Sequence, residues 1–290
     1  MTDRVKKQYD ILKDGSYKKN RVHTPVPLDG VEEQASPMMQ SAQMFRAMLA
    51  FEKPWVHPGE RIGFNRSGSE YPPYGTYGLK PGEKKYISGN VTLDFETFLN
   101  KGFNGIREVI LEKLKTADAE QTEFYQCLLM TMDAALDYAQ RMRQAALEGG
   151  CMELYDSLCR VPWKPAQSLL DACVFMKFII FTTRCNYNEH ITLGRFDRYM
   201  KPFYEKDLAA GKTREELMEV LELLKMEKPN PTNPIANKIP AAKIKILLLS
   251  DIFFVSFFLI IKISNADCYS VCSVIVTLVM TPLAFRSIVT

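Results

Sequence analysis

The sequence is poor in the residues from which a recognisable catalytic or metal centre is usually built. Only three of its 290 residues are histidine, His23, His57 and His190, and none stands four residues from another metal-type ligand. The spacing that puts two ligands on one helical face is therefore absent, and no metal site is expected. Seven cysteines, at positions 127, 151, 159, 173, 185, 268 and 272, include no CxxC pair. Zinc and iron–sulfur ligation lose their usual signature, and reduced thiols in a cytoplasm fit best. The motifs GxSxG and GxGxxG do not occur, nor does GxxxxGK followed by Ser or Thr. An elbow-serine hydrolase, a Rossmann protein and a P-loop enzyme thus have no support. An excess of one charge is missing too: 37 basic residues against 34 acidic ones leave +3, which gives no nucleic-acid footprint. The polar, charged start of the chain lacks the apolar core of a signal peptide, and residues 1 to 228 read as cytosolic.

What the chain does have is helical periodicity. Residues 1 to 35 carry Lys, Asp, Pro and Gly with little pattern and predict an N-terminal arm with at most one or two helical turns. Met38, Met44, Met48, Leu49 and Phe51 predict a helix over 37–51, its methionines filling a core. From Lys53 to Gly89 a stretch rich in proline, glycine and tyrosine predicts a long loop that covers a surface. Phe95, Phe98, Leu99, Phe103, Ile106, Ile110 and Leu114 form one apolar stripe. A second stripe runs from Ala119 to Leu147 and ends at Gly149-Gly150, so the two helices are expected to pair as a hairpin. Pro165 is expected to open an almost wholly apolar helix through Phe181, too short and too charged to span a membrane. Thr213 to Glu216, "TREE", is a capping box for a last amphipathic helix.

Two segments could carry chemistry. Cys151 in "GGCME" has the setting of a reactive thiol on a flexible loop, although a helix cap followed by a buried thiol accounts for it more simply. The segment "NEHITLGRFDRYMKPFY", Asn188 to Tyr204, gathers His190, Arg195 and Asp197 behind the apolar helix. These could offer donors and a base to a small polar substrate; equally, Arg195 and Asp197 could pair with each other or cap a helix.

Four segments in order resemble the glycyl radical enzymes of the pyruvate formate-lyase-like family: "GERIGFNRS" (59–67), "GNVTLDFETFLNKGFNGIREVI" (89–110), "CRVPWKPAQSLLDA" (159–172) and "HITLGRFDRYMKPFY" (190–204). The resemblance spans about Pro25 to Lys225. It implies a mainly α chain: the helical N-terminal portion of a ten-stranded β/α barrel, with few or short strands and the barrel incomplete. It also implies a radical lyase or dehydratase acting on a small molecule. In the family a partner activase, using S-adenosylmethionine and an iron–sulfur cluster, installs a radical on a C-terminal glycine; the radical passes to a cysteine, and the enzyme is a homodimer. Arg195 and Asp197 belong to the family's structural motif, while His190 and Asn90 stand at positions expected to face substrate. Ile191 replaces the serine that follows the histidine in glycerol-dehydratase-type members, which argues against a polyol substrate.

The resemblance leaves the radical residues unaccounted for. The family's glycine lies in an Arg-Val-x-Gly stretch, but Arg4-Val5, Arg21-Val22 and Arg160-Val161 are not followed by that glycine. Cys151 copies the family's Gly-Cys-x-Glu tetrapeptide but precedes the "GRFD" element rather than following it, so it is read as a decoy. No catalytic residue is expected within this chain. The expected organisation is a family unit over 1–226, a Pro/Asn-rich linker over 227–245, and an apolar tail over 246–290. That tail is either a product of a frameshift or similar junction, or a membrane hairpin anchoring a helical binding or scaffold protein through residues 246–285.

Overall fold

A computed structural model describes residues 2–14, 30–64, 91–185 and 191–225. Within them the chain forms α1 (Asp3–Asp14), α2 (Pro37–Phe51), β1 (Val91–Thr92), α3 (Phe95–Leu114), α4 (Ala119–Glu148), α5 (Met152–Leu158), α6 (Leu169–Cys185), β2 (Ile191–Thr192), α7 (Phe196–Ala209) and α8 (Arg214–Lys225). The mainly helical expectation holds, and among the described residues the strands are limited to the short parallel pair β1–β2.

Local capping explains several boundaries. Ser36 accepts the Met39 N–H at 3.1 Å and Pro37 occupies the first helical position, which together start α2. Asp94 accepts from the Thr97 N–H at 3.1 Å and from its hydroxyl at 2.8 Å to start α3. Asp118 and Gln121 close a capping box on α4, and Thr213 with Glu216 does the same for α8. As the paired glycines predict, α4 ends at Gly149, with Gly150 at positive φ.

Two sequence expectations need correction. The N-terminal arm is a helix of twelve residues, because Val5, Gln8 and Leu12 make a narrow buried stripe on an otherwise charged segment. The apolar helix begins at Leu169 rather than at Pro165. Its first turn is held by side chains: Ser168 Oγ accepts the Asp171 N–H at 3.0 Å, and Asp207 of α7 accepts the Leu169 N–H at 3.0 Å.

α6 is the axis of the core. Fourteen of its seventeen residues are buried, and α2, α3, α5, α7 and α8 all pack on it. Around it lies an aromatic cluster, with Phe178 5.3 Å from Phe64 and 5.8 Å from Phe103 between ring centres, and Phe181 stacked on Tyr138 at 4.7 Å. Burying each such ring contributes about 2–3 kcal/mol. The expected α3–α4 contact is present, but α4 packs most extensively on α2.

Helix α3 is broken at Gly102, whose φ of 65° and ψ of 173° leave the helical region. The break redirects two amides: Phe103 N–H donates to the Pro162 carbonyl and Asn104 N–H to the Trp163 carbonyl, each at 2.9 Å. The Leu99 carbonyl, which Phe103 would otherwise have bonded, accepts Ala166 N–H at 2.9 Å. The "NKGFNG" and "VPWKPA" segments are thereby locked together through backbone alone. A Cβ at residue 102 would lie 2.6 Å from both Lys164 C and Trp163 O, so no larger residue fits.

The apolar runs at 246–261 and 272–285, the linker and His23 lie outside the described residues. Among those described, no helix is long and apolar enough to cross a membrane. Gly102→Ala is expected to destabilise the fold by about 3–5 kcal/mol. In a thermal melt that corresponds to a drop of roughly 10 °C, and a melt unchanged from wild type would contradict the interlock.

Candidate functional site

Two strand–turn–helix units stand side by side. β1 leads through buried Leu93 and the Asp94 cap into α3; β2 leads through Leu193, Gly194 and Arg195 into α7. The strands are parallel, with Val91 opposite Ile191 and Thr92 opposite Thr192. Gly194 is required where the units touch: its φ is +60°, and a Cβ there would lie 3.0 Å from Thr92 Cγ2. Tyr199 ties the second unit together by donating to the Leu193 carbonyl at 2.7 Å while its ring stacks on Phe95 of the first. Burial pushes the Tyr199 hydroxyl well above its ordinary pKa, so it remains a proton donor.

Arg195 and Asp197 pair with each other. The guanidinium donates Nε to Oδ1 at 3.0 Å and Nη2 to Oδ2 at 2.9 Å, and this pairing holds the Asp197 carboxyl below its ordinary range. The Arg195 side chain is exposed, so the pair braces the start of α7 at the surface and contributes little stability. His190 and Asn90 lie outside the described residues; each directly precedes a residue of the β1–β2 register.

Cys151 is buried and caps the N-terminus of α5, as the simpler sequence reading holds. Its thiol donates to the His57 carbonyl at 3.2 Å, pointing into protein rather than toward an open site. Among the described residues no three His, Cys, Asp or Glu side chains gather as a metal site.

The sequence reading passed over a buried polar centre formed by His57 and Glu60. The sequence pattern does not announce it, because the two stand three residues apart, in "HPGE", rather than at the four-residue spacing of a helical metal pair. His57 Nε2 lies 2.8 Å from Glu60 Oε2, an ion-pair contact off the line of a straight hydrogen bond, while Nδ1 faces the Pro58 carbonyl at 3.1 Å. Both ring nitrogens face acceptors, an arrangement that only the doubly protonated ring satisfies. The other Glu60 oxygen accepts Gln8 Nε2 of α1 at 3.2 Å and the Gly63 N–H at 3.1 Å. Above this centre Arg61 bridges Glu219 of α8 at 3.0 Å and Glu153 of α5 at 2.6 Å, and Arg4 of α1 reaches the same two carboxylates at 3.3 and 3.2 Å. The polar centre thus fastens α1 to the body.

Burial alone would lower the His57 pKa, but the Glu60 carboxylate outweighs it and the net shift is upward. Burial alone would raise Glu60, but the His57 pairing and the Gly63 and Ile62 amides outweigh it and the net shift is downward. The His57 contribution is complete below its unfolded pKa of 6.5 and is lost as pH rises through the higher folded value. The Glu60 contribution is complete above its unfolded pKa of 4.5 and is lost as pH falls through the lower folded value. Thermal stability is therefore expected to peak near about pH 5.5, and His57→Gln should flatten its alkaline side. A melting temperature that climbs steadily from pH 5.5 to pH 8 would contradict the charged pair.

Comparison with known proteins gives this geometry a family. The family model for pyruvate formate lyase-like proteins matches residues 79–241. Isethionate sulfite-lyase of Desulfovibrio desulfuricans is 28% identical over 152 residues, which cover 45% of this chain and 18% of that protein. A solved structure described for 1,2-propanediol dehydration in Roseburia inulinivorans superposes with a TM-score of 0.61 at 22% identity, covering 77% of this chain and 39% of the other. A glycyl radical enzyme from Archaeoglobus fulgidus does so with a TM-score of 0.59 at 15% identity and the same coverage. The chain thus spans about a fifth of the length of the curated relatives it matches. With more than half of its residues matched and the fold shared, the chain belongs to the pyruvate formate lyase-like family.

Proposed function

We propose that this chain supplies the helical shell and one wall of the substrate pocket of a glycyl radical lyase or dehydratase acting on a small metabolite. Residues 1–226 form that unit in this reading. The observation that supports it is the parallel register of Val91 against Ile191, the residues that Asn90 and His190 directly precede in the sequence. In this reading β1 and β2 are barrel strands. Asn90 and His190 contact substrate, the carboxamide and imidazole supplying donors and acceptors to a small polar molecule. Ile191 beside them disfavours a polyol. The lyase and dehydration reactions named for the similar proteins support the chemical class, bond cleavage in a small molecule.

The radical itself does not fit the residues present. No Arg-Val pair in the 290 residues is followed by the expected glycine, and the thiol of Cys151 is turned into the protein against the His57 carbonyl. In the proposed assignment the radical, installed by an S-adenosylmethionine and iron–sulfur activase, belongs to sequence other than this chain, and Cys151 is structural. A cytoplasmic homodimer is the setting that this family reading favours. The chain as it stands is non-catalytic.

Incubating the chain with a competent activase is expected to give no glycyl radical signal by electron paramagnetic resonance; a doublet that maps to this chain would sink the proposal. In a chimera completed with the radical-bearing portion of a relative, His190→Ala and Asn90→Ala are each expected to lower kcat/KM about 100-fold with the melt unchanged. Wild-type kinetics in both variants would remove these residues from the pocket.

A further inference from the structure

Beside the β1–β2 pair, α3 and α7 frame a concavity. An open cleft of about 170 Å³ lies between Glu96 and Asn100 of α3, Gln167 of the loop before α6, and Arg198 and Lys206 of α7, with Phe203 among its lining residues. Its volume is that of about six waters at roughly 30 Å³ each, room for a very small metabolite. Glu96 and Asn100 are four residues apart and so share one face of α3; Arg198 and Lys206 share one face of α7.

The charges in the cleft are not consumed by the fold. Asp197, the carboxylate nearest Arg198 in sequence, is taken in bidentate fashion by Arg195, and Asp207, next to Lys206, is taken by Lys212 and the Leu169 amide. Glu205 faces Lys201. Among the described residues the side chains of Arg198, Glu96 and Asn100 make no ion pair or hydrogen bond. Lys206 donates one bond, to the Gln167 carbonyl at 2.8 Å, leaving two N–H groups for another acceptor. Two cations at one wall and one carboxylate at the other leave a net positive cleft with both a site for an anion and an acceptor for a donor group.

We propose that this cleft binds a small 2-hydroxycarboxylate, separately from the pocket wall that carries His190. The carboxylate bridges Arg198 and Lys206, the hydroxyl donates to Glu96 with Asn100 beside it, and the short carbon skeleton lies near Phe203 and Pro202. The cleft is open to water, so binding is weak and salt-sensitive, and it depends on the carboxylate rather than on apolar contact.

The test is calorimetric or NMR titration of the full chain with lactate at low ionic strength, with lactamide as the neutral control of equal size. Lactate should saturate and lactamide should not. Arg198→Gln and Lys206→Gln should each weaken lactate about tenfold or more, while His190→Ala leaves it unchanged. Glu96→Ala, which removes the acceptor, should abolish the preference for lactate over propionate, which lacks the hydroxyl. These side chains are exposed, and an unchanged melt verifies each variant; should Arg198→Gln disturb the fold, Lys206→Gln carries the comparison. Failure of lactate to saturate, equal binding of lactamide, or wild-type affinity in both charge variants overturns the proposal.

Discussion

The backbone interlock at Gly102 is the contact on which the rest depends. It turns one long amphipathic segment into a helix with a step, and the step lets three hydrogen bonds pass between the α3 segment and the distant 162–166 segment. Such bonds are worth only about 1 kcal/mol each on net, but they also fix where the loop before α6 runs. That loop delivers α6 into the aromatic cluster, and α6 in turn is capped by Asp207 of α7. The position of β2 and of its turn into α7 follows from that chain of contacts. Breaking the step would therefore reach the β1–β2 pair without touching any residue in it.

A second constraint acts at the other end of the molecule. Helix α1 offers little apolar surface, and what holds it is a buried carboxylate that requires Gln8, His57 and two backbone amides as partners. A buried charge that loses a partner costs far more than the intact pair contributes, so such a centre specifies one docking geometry more than it adds stability. The arginines above it, Arg4 and Arg61, share the same two glutamates and make α1, α5 and α8 one unit.

The legible parts of the fold were those where one period governs a whole element. α3 and α4 have their expected starts because a side-chain cap precedes an apolar stripe, and α8 because its capping box is complete. α1 was underestimated because its buried stripe includes a glutamine and only two apolar residues, too few for a periodic signal. The step at Gly102 was invisible for the opposite reason: Phe98, Leu99, Phe103 and Ile106 continue the stripe on either side, and nothing local marks the partner strand of backbone at 162–166. Pro165 misled because proline opens helices when its missing N–H is harmless, yet here it sits in the segment held by α3. At the candidate site, Arg195 and Asp197 pair with each other in bidentate fashion, one of the alternatives their spacing leaves open. Among the described residues Arg198, three residues on, is left without an ion pair, and no spacing rule separates the two arginines.

Native-state hydrogen exchange tests the interlock most directly. The amides of Phe103, Asn104 and Ala166 should exchange only through opening as large as that exposing the buried amides of α6, because their acceptors lie on a distant segment fixed by the core. Exchange of these three at the rate of surface turns, while α6 stays protected, would show that α3 and the 162–166 segment are neighbours without being locked, and would contradict the account.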